Sequence, residues 1–183
     1  MSLDIKRIEN YNAVLKEISP FGNKYILFGF GFIVLLISIS LPINEYYGIT
    51  IVGQSDSLGV KHRILFETLN FLIILINIYI YLFYKIKGFS PSLVRGLISY
   101  YKNYILIKKS KYSFFQLFII ILFTYLCLLL SILFIDPGPP SRYGWFYHAF
   151  IYFSMIYACL MYYIFTVFFA AILAMNEMKK YLS

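Results

Sequence analysis

The sequence predicts an all-α membrane protein with four transmembrane helices in one domain, residues 1–183, on three observations. First, the chain is 61% hydrophobic and 13% charged, with a mean hydropathy of +0.77, whereas soluble chains average about 45–50% apolar and about 25% charged residues. Second, four apolar stretches are close to the roughly 20 residues that cross a bilayer core of ~30 Å as a helix. Third, basic residues are concentrated in three of the five segments outside these stretches, as is typical of membrane proteins with a defined orientation.

The four predicted spans cover residues 25–43, 64–84, 114–135 and 147–175, and Glu67 is the only Asp, Glu, Lys or Arg inside them. These runs are rich in β-branched and aromatic residues, which in water would favour strands. In hydrocarbon, however, a segment must satisfy its own backbone groups, so runs of this length are expected to be helical. A cleaved signal peptide is the weaker interpretation of the first run, which is longer than a signal-peptide core and begins only after 24 residues.

The distribution of Lys and Arg predicts that both termini of this multi-pass protein face the cytoplasm. Thirteen basic residues lie in the N-terminal tail, in the connection between the second and third spans, or in the C-terminal tail, and only three lie in the other two connections. Basic residues favour the cytoplasmic side. The same charge explains the pI near 9.3 without nucleic acid, for which the sequence has no aromatic-basic binding module.

Residues 91–107, within the basic connection, are predicted to form an amphipathic cytoplasmic helix. Ser90 is a suitable N-cap and Pro91 suits the first helical position. Apolar residues then recur at helical spacing, with basic and polar residues on the other side. Such a helix could lie in the membrane interface, pack beneath the bundle or bind a partner. The N-terminal tail is predicted to form a second short amphipathic helix, ended by residues 19–22.

Polar residues inside the spans are predicted to form contact seams, because those on one span fall within an arc of ~80° at ~100° per residue. Amides and hydroxyls in lipid mark helix contacts or water-lined paths. The seams could therefore hold the bundle together, contact the transmembrane helices of another protein, or line a transport path. The predicted intramembrane contact residues are Glu67, Asn70 and Asn77 on the second span, Gln116, Thr124 and Ser131 on the third, and His148 on the fourth.

The sequence predicts neither an enzyme nor a cofactor. Cys127 and Cys159 lie near the middle of their spans and form no Cys-x-x-Cys pair, so they are interpreted as packing residues. The two histidines lie near the outer face, where hydrogen bonding is the expected role. Glu67 could pair with Arg63, four residues earlier on the same helix. The chain has no recognisable nucleophile with a base, metal cluster or phosphate loop.

Four spans in 183 residues, both ends inside, a basic middle connection and a tail carrying Lys179 and Lys180 resemble the four-helix immunity proteins of pore-forming colicins. The layout is also similar to that of exclusion proteins of conjugative plasmids. The resemblance covers the whole chain but is one of layout, so it transfers no residue's role. It implies a non-enzymatic immunity or exclusion protein of the bacterial inner (plasma) membrane that blocks a pore-forming toxin or transfer apparatus by helix–helix contact in the bilayer. The alternative is a small structural subunit of a larger respiratory or secretion complex.

Overall fold

The computed structural model describes residues 3–108, 113–138 and 145–182, and these ranges are helical with no strand among them. The all-α class is therefore confirmed. In chain order the helices are α1 (Leu3–Ile18), α2 (Lys24–Ser40), α3 (Ile51–Gln54), α4 (Val60–Lys87), α5 (Pro91–Lys108), α6 (Phe114–Phe134) and α7 (Ile151–Leu182), with 3-10 turns at Pro20–Gly22 and Trp145–Tyr147.

Three of these helices, α4, α6 and α7, are long and apolar enough to cross a membrane. The first predicted span is not among them, because α2 has only 17 residues. The helix is about 25 Å long, which is shorter than the ~30 Å hydrocarbon core of a bilayer. The helix ends at Ser40, whereas the prediction extended it to residue 43. Pro42 accounts for the early end, since a proline disfavours helical backbone in the residue before it.

Two of the long helices, α4 and α7, extend beyond the apolar runs that predicted them, whereas α6 covers 114–134 of the predicted 114–135. α4 covers 60–87 instead of 64–84, and α7 continues to Leu182 instead of ending at 175. Hydropathy detects only the apolar part of a helix, and the helical backbone continues into the polar residues that flank it. The predicted start of the last span at 147 is wrong, because α7 begins at Ile151 after the turn Trp145–Tyr147.

The chain divides into two compact units. The first comprises residues Met1–Ile26, Asn77–Tyr125 and Val167–Ser183, and the second comprises Leu27–Ile76 and Leu126–Thr166. The single domain predicted over 1–183 stays a prediction.

In the first unit, α5 packs against α1, and a carboxylate of α1 fixes the start of α5. Ser90 accepts a hydrogen bond from the Leu93 N–H at 3.3 Å, as the predicted N-cap should. Glu17 accepts from both the backbone N–H of Ser90, at 2.9 Å, and its hydroxyl. Leu93 and Val94, at the start of α5, are buried. Part of the apolar face of α5 is therefore covered within the chain.

In the second unit, α2 packs closely against α7. A Cβ on Gly31 would clash with the ring of Tyr162, so this approach requires glycine. The Tyr162 hydroxyl donates to the carbonyl oxygen of Leu27 at 3.2 Å, and the rings of Phe28 and Tyr163 are 4.9 Å apart. Although α2 is short, it is thus an integrated part of this helical unit.

Candidate functional site

Glu67 organises the loop of residues 44–59, which connects α2 to α4. Its side chain is 1% exposed, eight residues into α4. The Tyr46 hydroxyl donates to Glu67 Oε2 at 2.5 Å, and the N–H groups of Ile49 and Thr50 donate to Oε1 at 2.6 and 2.9 Å. A buried carboxylate is costly unless it is hydrogen-bonded, and these three donors meet that need. Glu67 therefore holds the 44–59 loop on α4.

Two glycines allow the loop to reach this carboxylate. A Cβ on either Gly48 or Gly53 would clash with Glu67 Oε2. The Gly48 N–H donates to the carbonyl oxygen of Gly53 at 3.1 Å, and Thr50 caps the one-turn helix α3 by accepting from the Gly53 N–H. Sequence reasoning missed these residues, although the glycine spacing in this loop is visible. Burial, together with the hydrogen bond and negative charge of Glu67, raises the pKa of Tyr46 to about 12.

The predicted pair between Glu67 and Arg63 is wrong. Arg63 Nε donates to the carbonyl oxygen of Leu58 at 2.9 Å, and Nη2 lies 3.3 Å from Oδ1 of Asp56. Because the oxygens of Glu67 are engaged by Tyr46 and the loop backbone, Arg63 contacts other parts of the same loop. Both residues therefore serve to fix the 44–59 loop.

Two further predicted residues of the second unit make contacts within the chain. Asn70 is 1% exposed, and its Nδ2 lies 3.5 Å from the carbonyl oxygen of Ile132, which is a long hydrogen bond. His148 does not share a face of α7, as predicted, because it precedes that helix. Its Nε2 lies 2.8 Å from the carbonyl oxygen of Gly138, and His62 Nε2 lies 2.7 Å from that of Ala149.

In the first unit, Asn77 joins α4 to α6. Its Nδ2 donates to the Tyr125 hydroxyl, whereas its Oδ1 is buried with no hydrogen-bond partner among the described residues. Gln116 is exposed in the first turn of α6. It forms a capping box with Ser113: Gln116 Oε1 accepts from the Ser113 N–H at 2.9 Å, and Ser113 Oγ accepts from the Gln116 N–H at 3.3 Å.

The other polar residues of α6 lie on a largely uncovered helix. Only 6% of the apolar window of α6 is buried, compared with 56% for α4 and 44% for α7. Thr124 and Cys127 are exposed, and Ser131 is half-buried, with its hydroxyl donating to the carbonyl oxygen of Leu128 at 2.7 Å. The polar residues predicted on α4 are thus engaged inside the chain, whereas Thr124 and Ser131 of α6 remain near its surface.

The polar groups at these positions are hydrogen-bond donors and acceptors. Among the described residues, no group of three or more His, Cys, Asp or Glu could hold a metal ion. Glu67 serves as an acceptor for one loop, and the polar groups of Thr124, Cys127 and Ser131 on α6 are small hydroxyls and a thiol. Comparison with protein-family models, curated proteins and solved structures gives no match for this chain.

Proposed function

We propose that this chain is a non-enzymatic, multi-pass inner-membrane protein of the immunity or exclusion type. It recognises transmembrane helices of a pore-forming toxin or transfer apparatus through the exposed face of α6. One observation carries the proposal: α6 is the most apolar of the three long helices and also the least covered. The polar positions Thr124, Cys127 and Ser131 lie within ~60° of one another around its axis.

Such a face interacts differently with lipid tails and with a second helix. A helix this apolar is stable in hydrocarbon, because lipid tails solvate its Leu and Ile side chains as well as the apolar surface of another protein would. Lipid tails offer no hydrogen bonds to Thr124 or Ser131, whereas a second helix does. Polar contacts between membrane helices contribute roughly 0.6 kcal/mol each, with a maximum near 1.7. Small side chains also let a partner helix approach closely.

The proposal includes α2 as a fourth span and places both termini in the cytoplasm. A short apolar helix can span a membrane by local thinning of the bilayer or by snorkelling of flanking residues. The close packing of Gly31 on Tyr162 supports placing α2 beside α7 at the same depth. The split of 13 basic residues against 3 supports the orientation.

Cysteine labelling tests this topology. In a chain with Cys127 and Cys159 replaced by Ala, Asp56→Cys should react with a membrane-impermeant maleimide on intact cells, because the Asp56 side chain is 94% exposed. Ser99→Cys, at an exposed position on α5, should react only after permeabilisation. The reverse pattern would overturn the proposed orientation.

A protection assay tests the function. Cells expressing the protein are challenged with a pore-forming toxin encoded beside its gene, or are tested as recipients in conjugation. Replacement of Thr124, Cys127 and Ser131 together by Leu should preserve accumulation and weaken partner binding roughly 20-fold, from three contacts of ~0.6 kcal/mol. Ser40→Leu is the control, because Ser40 is an exposed serine of α2 that also bonds only to its own helix, through the carbonyl oxygen of Leu36.

The alternative, a subunit of a larger respiratory or secretion complex, would use the same face of α6. It predicts that the wild type protects in neither assay and accumulates only together with the membrane proteins encoded beside it. A wild type that accumulates alone and protects its host would exclude this alternative. Full protection by the triple Leu variant would place recognition elsewhere on the protein.

A further inference from the structure

A polar cleft of about 540 Å³ lies in the first unit, where α4 ends beside the last turns of α7. Tyr84 and Phe89 form part of its wall and are buried. Gly88, with φ of +68°, ends α4 and donates its N–H to the carbonyl oxygen of Tyr84 at 2.9 Å. Three lysines line the cleft: Lys85, Lys87 and Lys180.

The charge of the cleft is positive. Glu177 is the only acid among its described lining residues, and Lys180 pairs with it at 2.7 Å. The Tyr84 hydroxyl donates to the same carboxylate oxygen, Oε2, at 2.6 Å, so this acid already has two partners within the chain. Lys85 Nζ lies 5.5 Å from the ring centre of Tyr81. Together with Lys87, it leaves two positive charges in the cleft that Glu177 does not neutralise.

The dipole at the C-terminal end of α4 explains only part of this arrangement of three lysines around a cleft. Lysines in the last turn of a helix interact favourably with its dipole, but that interaction requires neither a cleft nor a third lysine from another helix. Lysine side chains in such a cleft provide N–H donors and positive charge, which is the chemistry that recognises phosphate.

We propose that this cleft binds the phosphate of an anionic phospholipid headgroup; the inference rests on the membrane location proposed above. Ile86 favours a lipid over a soluble phosphate. It lines the cleft between Lys85 and Lys87, and its side chain is 86% exposed. An exposed aliphatic group beside two lysines fits the boundary where a headgroup meets its acyl chains.

Native mass spectrometry of the full chain in detergent, with added phosphatidylglycerol or phosphatidylcholine, tests the proposal. The wild type should bind phosphatidylglycerol preferentially. The double variant Lys85→Gln, Lys87→Gln should weaken that binding roughly 25-fold, about fivefold for each lysine, which corresponds to ~1 kcal/mol per basic residue. The matched control, Arg95→Gln with Lys102→Gln, removes two exposed charges of α5 outside the cleft and should change the affinity less than about threefold.

Equal losses in both double variants would overturn the site, because they would reflect net charge alone. The absence of any preference for phosphatidylglycerol in the wild type would overturn it too. Inorganic phosphate that displaces the lipid at ~1 mM, but only when Lys85 and Lys87 are present, would support a phosphate site and assign it to a soluble phosphate. The assay uses no toxin or transfer apparatus, so its failure is separate from failure of the proposed function.

Discussion

Replacing Glu67 with Leu should release the 44–59 loop while leaving the helices in place. Hydrogen bonds to a charged group contribute about 1.5–3 kcal/mol each, so the three bonds to Glu67 would amount to ~4.5–9 kcal/mol if the loop stayed in position. The loop has an alternative, because the amides of Ile49 and Thr50 lie in a partly exposed segment and can be hydrated once it opens. We therefore expect the free energy of opening the loop to fall by about 3 kcal/mol, which is the lower value of about 1.5 kcal/mol for each of two bonds.

Hydrogen–deuterium exchange measures this loss directly. In the wild type, Ile49 and Thr50 donate their amide hydrogens to Glu67 Oε1 and should exchange slowly. In Glu67→Leu, their exchange should be roughly 100-fold faster, the equivalent of about 3 kcal/mol. Amides of α4 should remain protected, because Leu is well tolerated in a membrane helix. Glu67→Gln should have an intermediate effect, since an amide oxygen still accepts but without charge assistance.

The control is Glu45→Gln, which removes an exposed carboxylate from the same loop. Unchanged protection of Ile49 and Thr50 in Glu67→Leu would refute the assignment of Glu67 as the holding group. Equal effects from Glu45→Gln and Glu67→Leu would do the same, because they would show that loss of a negative charge near the loop is enough to release it.

Three other perturbations have defined outcomes. The pKa of Tyr46 is raised from 10.0 to about 12, so the folded loop favours the protonated hydroxyl. The stability that this hydroxyl gives to the folded loop should be fully present below pH 10 and lost as the pH rises towards 12. Tyr46→Phe should remove this dependence of loop exchange on pH. Gly31→Ala should lower the thermal midpoint in detergent because its Cβ meets the ring of Tyr162, whereas Gly29→Ala, with open space around its Cβ, should leave it unchanged or raise it slightly. Leu97→Glu should lower the thermal midpoint, because Leu97 lines an apolar cavity of about 290 Å³ beside α1. Ser99→Glu, at an exposed position, should have little effect. Equal midpoints for the two variants of either pair would contradict the difference in packing between the two positions.

Local signals predicted the helices well. The long apolar runs became α4, α6 and α7, and the Ser90–Pro91 pair marked the start of α5, because helix formation and capping depend on neighbouring residues. The errors occurred where an apolar run and a helix do not coincide. Pro42 indicates an earlier end for the first predicted span, but the apolar run continues past it to residue 43. The aromatic residues before Ile151 were apolar enough to be counted as helix, although they form a turn and a short irregular segment.

The contacts of the polar residues were much harder to predict. The sequence placed Glu67 inside a span but paired it with Arg63, because spacing along one helix reveals only neighbours on that helix. Its actual donors come from a loop 17 to 21 residues earlier in the chain. Gln116 was predictable, since a Ser-x-x-Gln pattern at the start of an apolar run is a capping box. An amide in an apolar run is also typical of a helix contact, and the two patterns overlap at Gln116.

The difference between α4 and α6 separates residues that build the fold from residues available for recognition. Glu67, Asn70 and Asn77 each make at least one hydrogen bond within the chain, so changing them disturbs the protein before it disturbs any partner. Loss of protection in those variants would accompany lower accumulation. Thr124 and Ser131 lie on a helix that the chain leaves largely uncovered. Loss of protection at normal accumulation is therefore the signature expected of α6, and it identifies a recognition surface whatever the partner is.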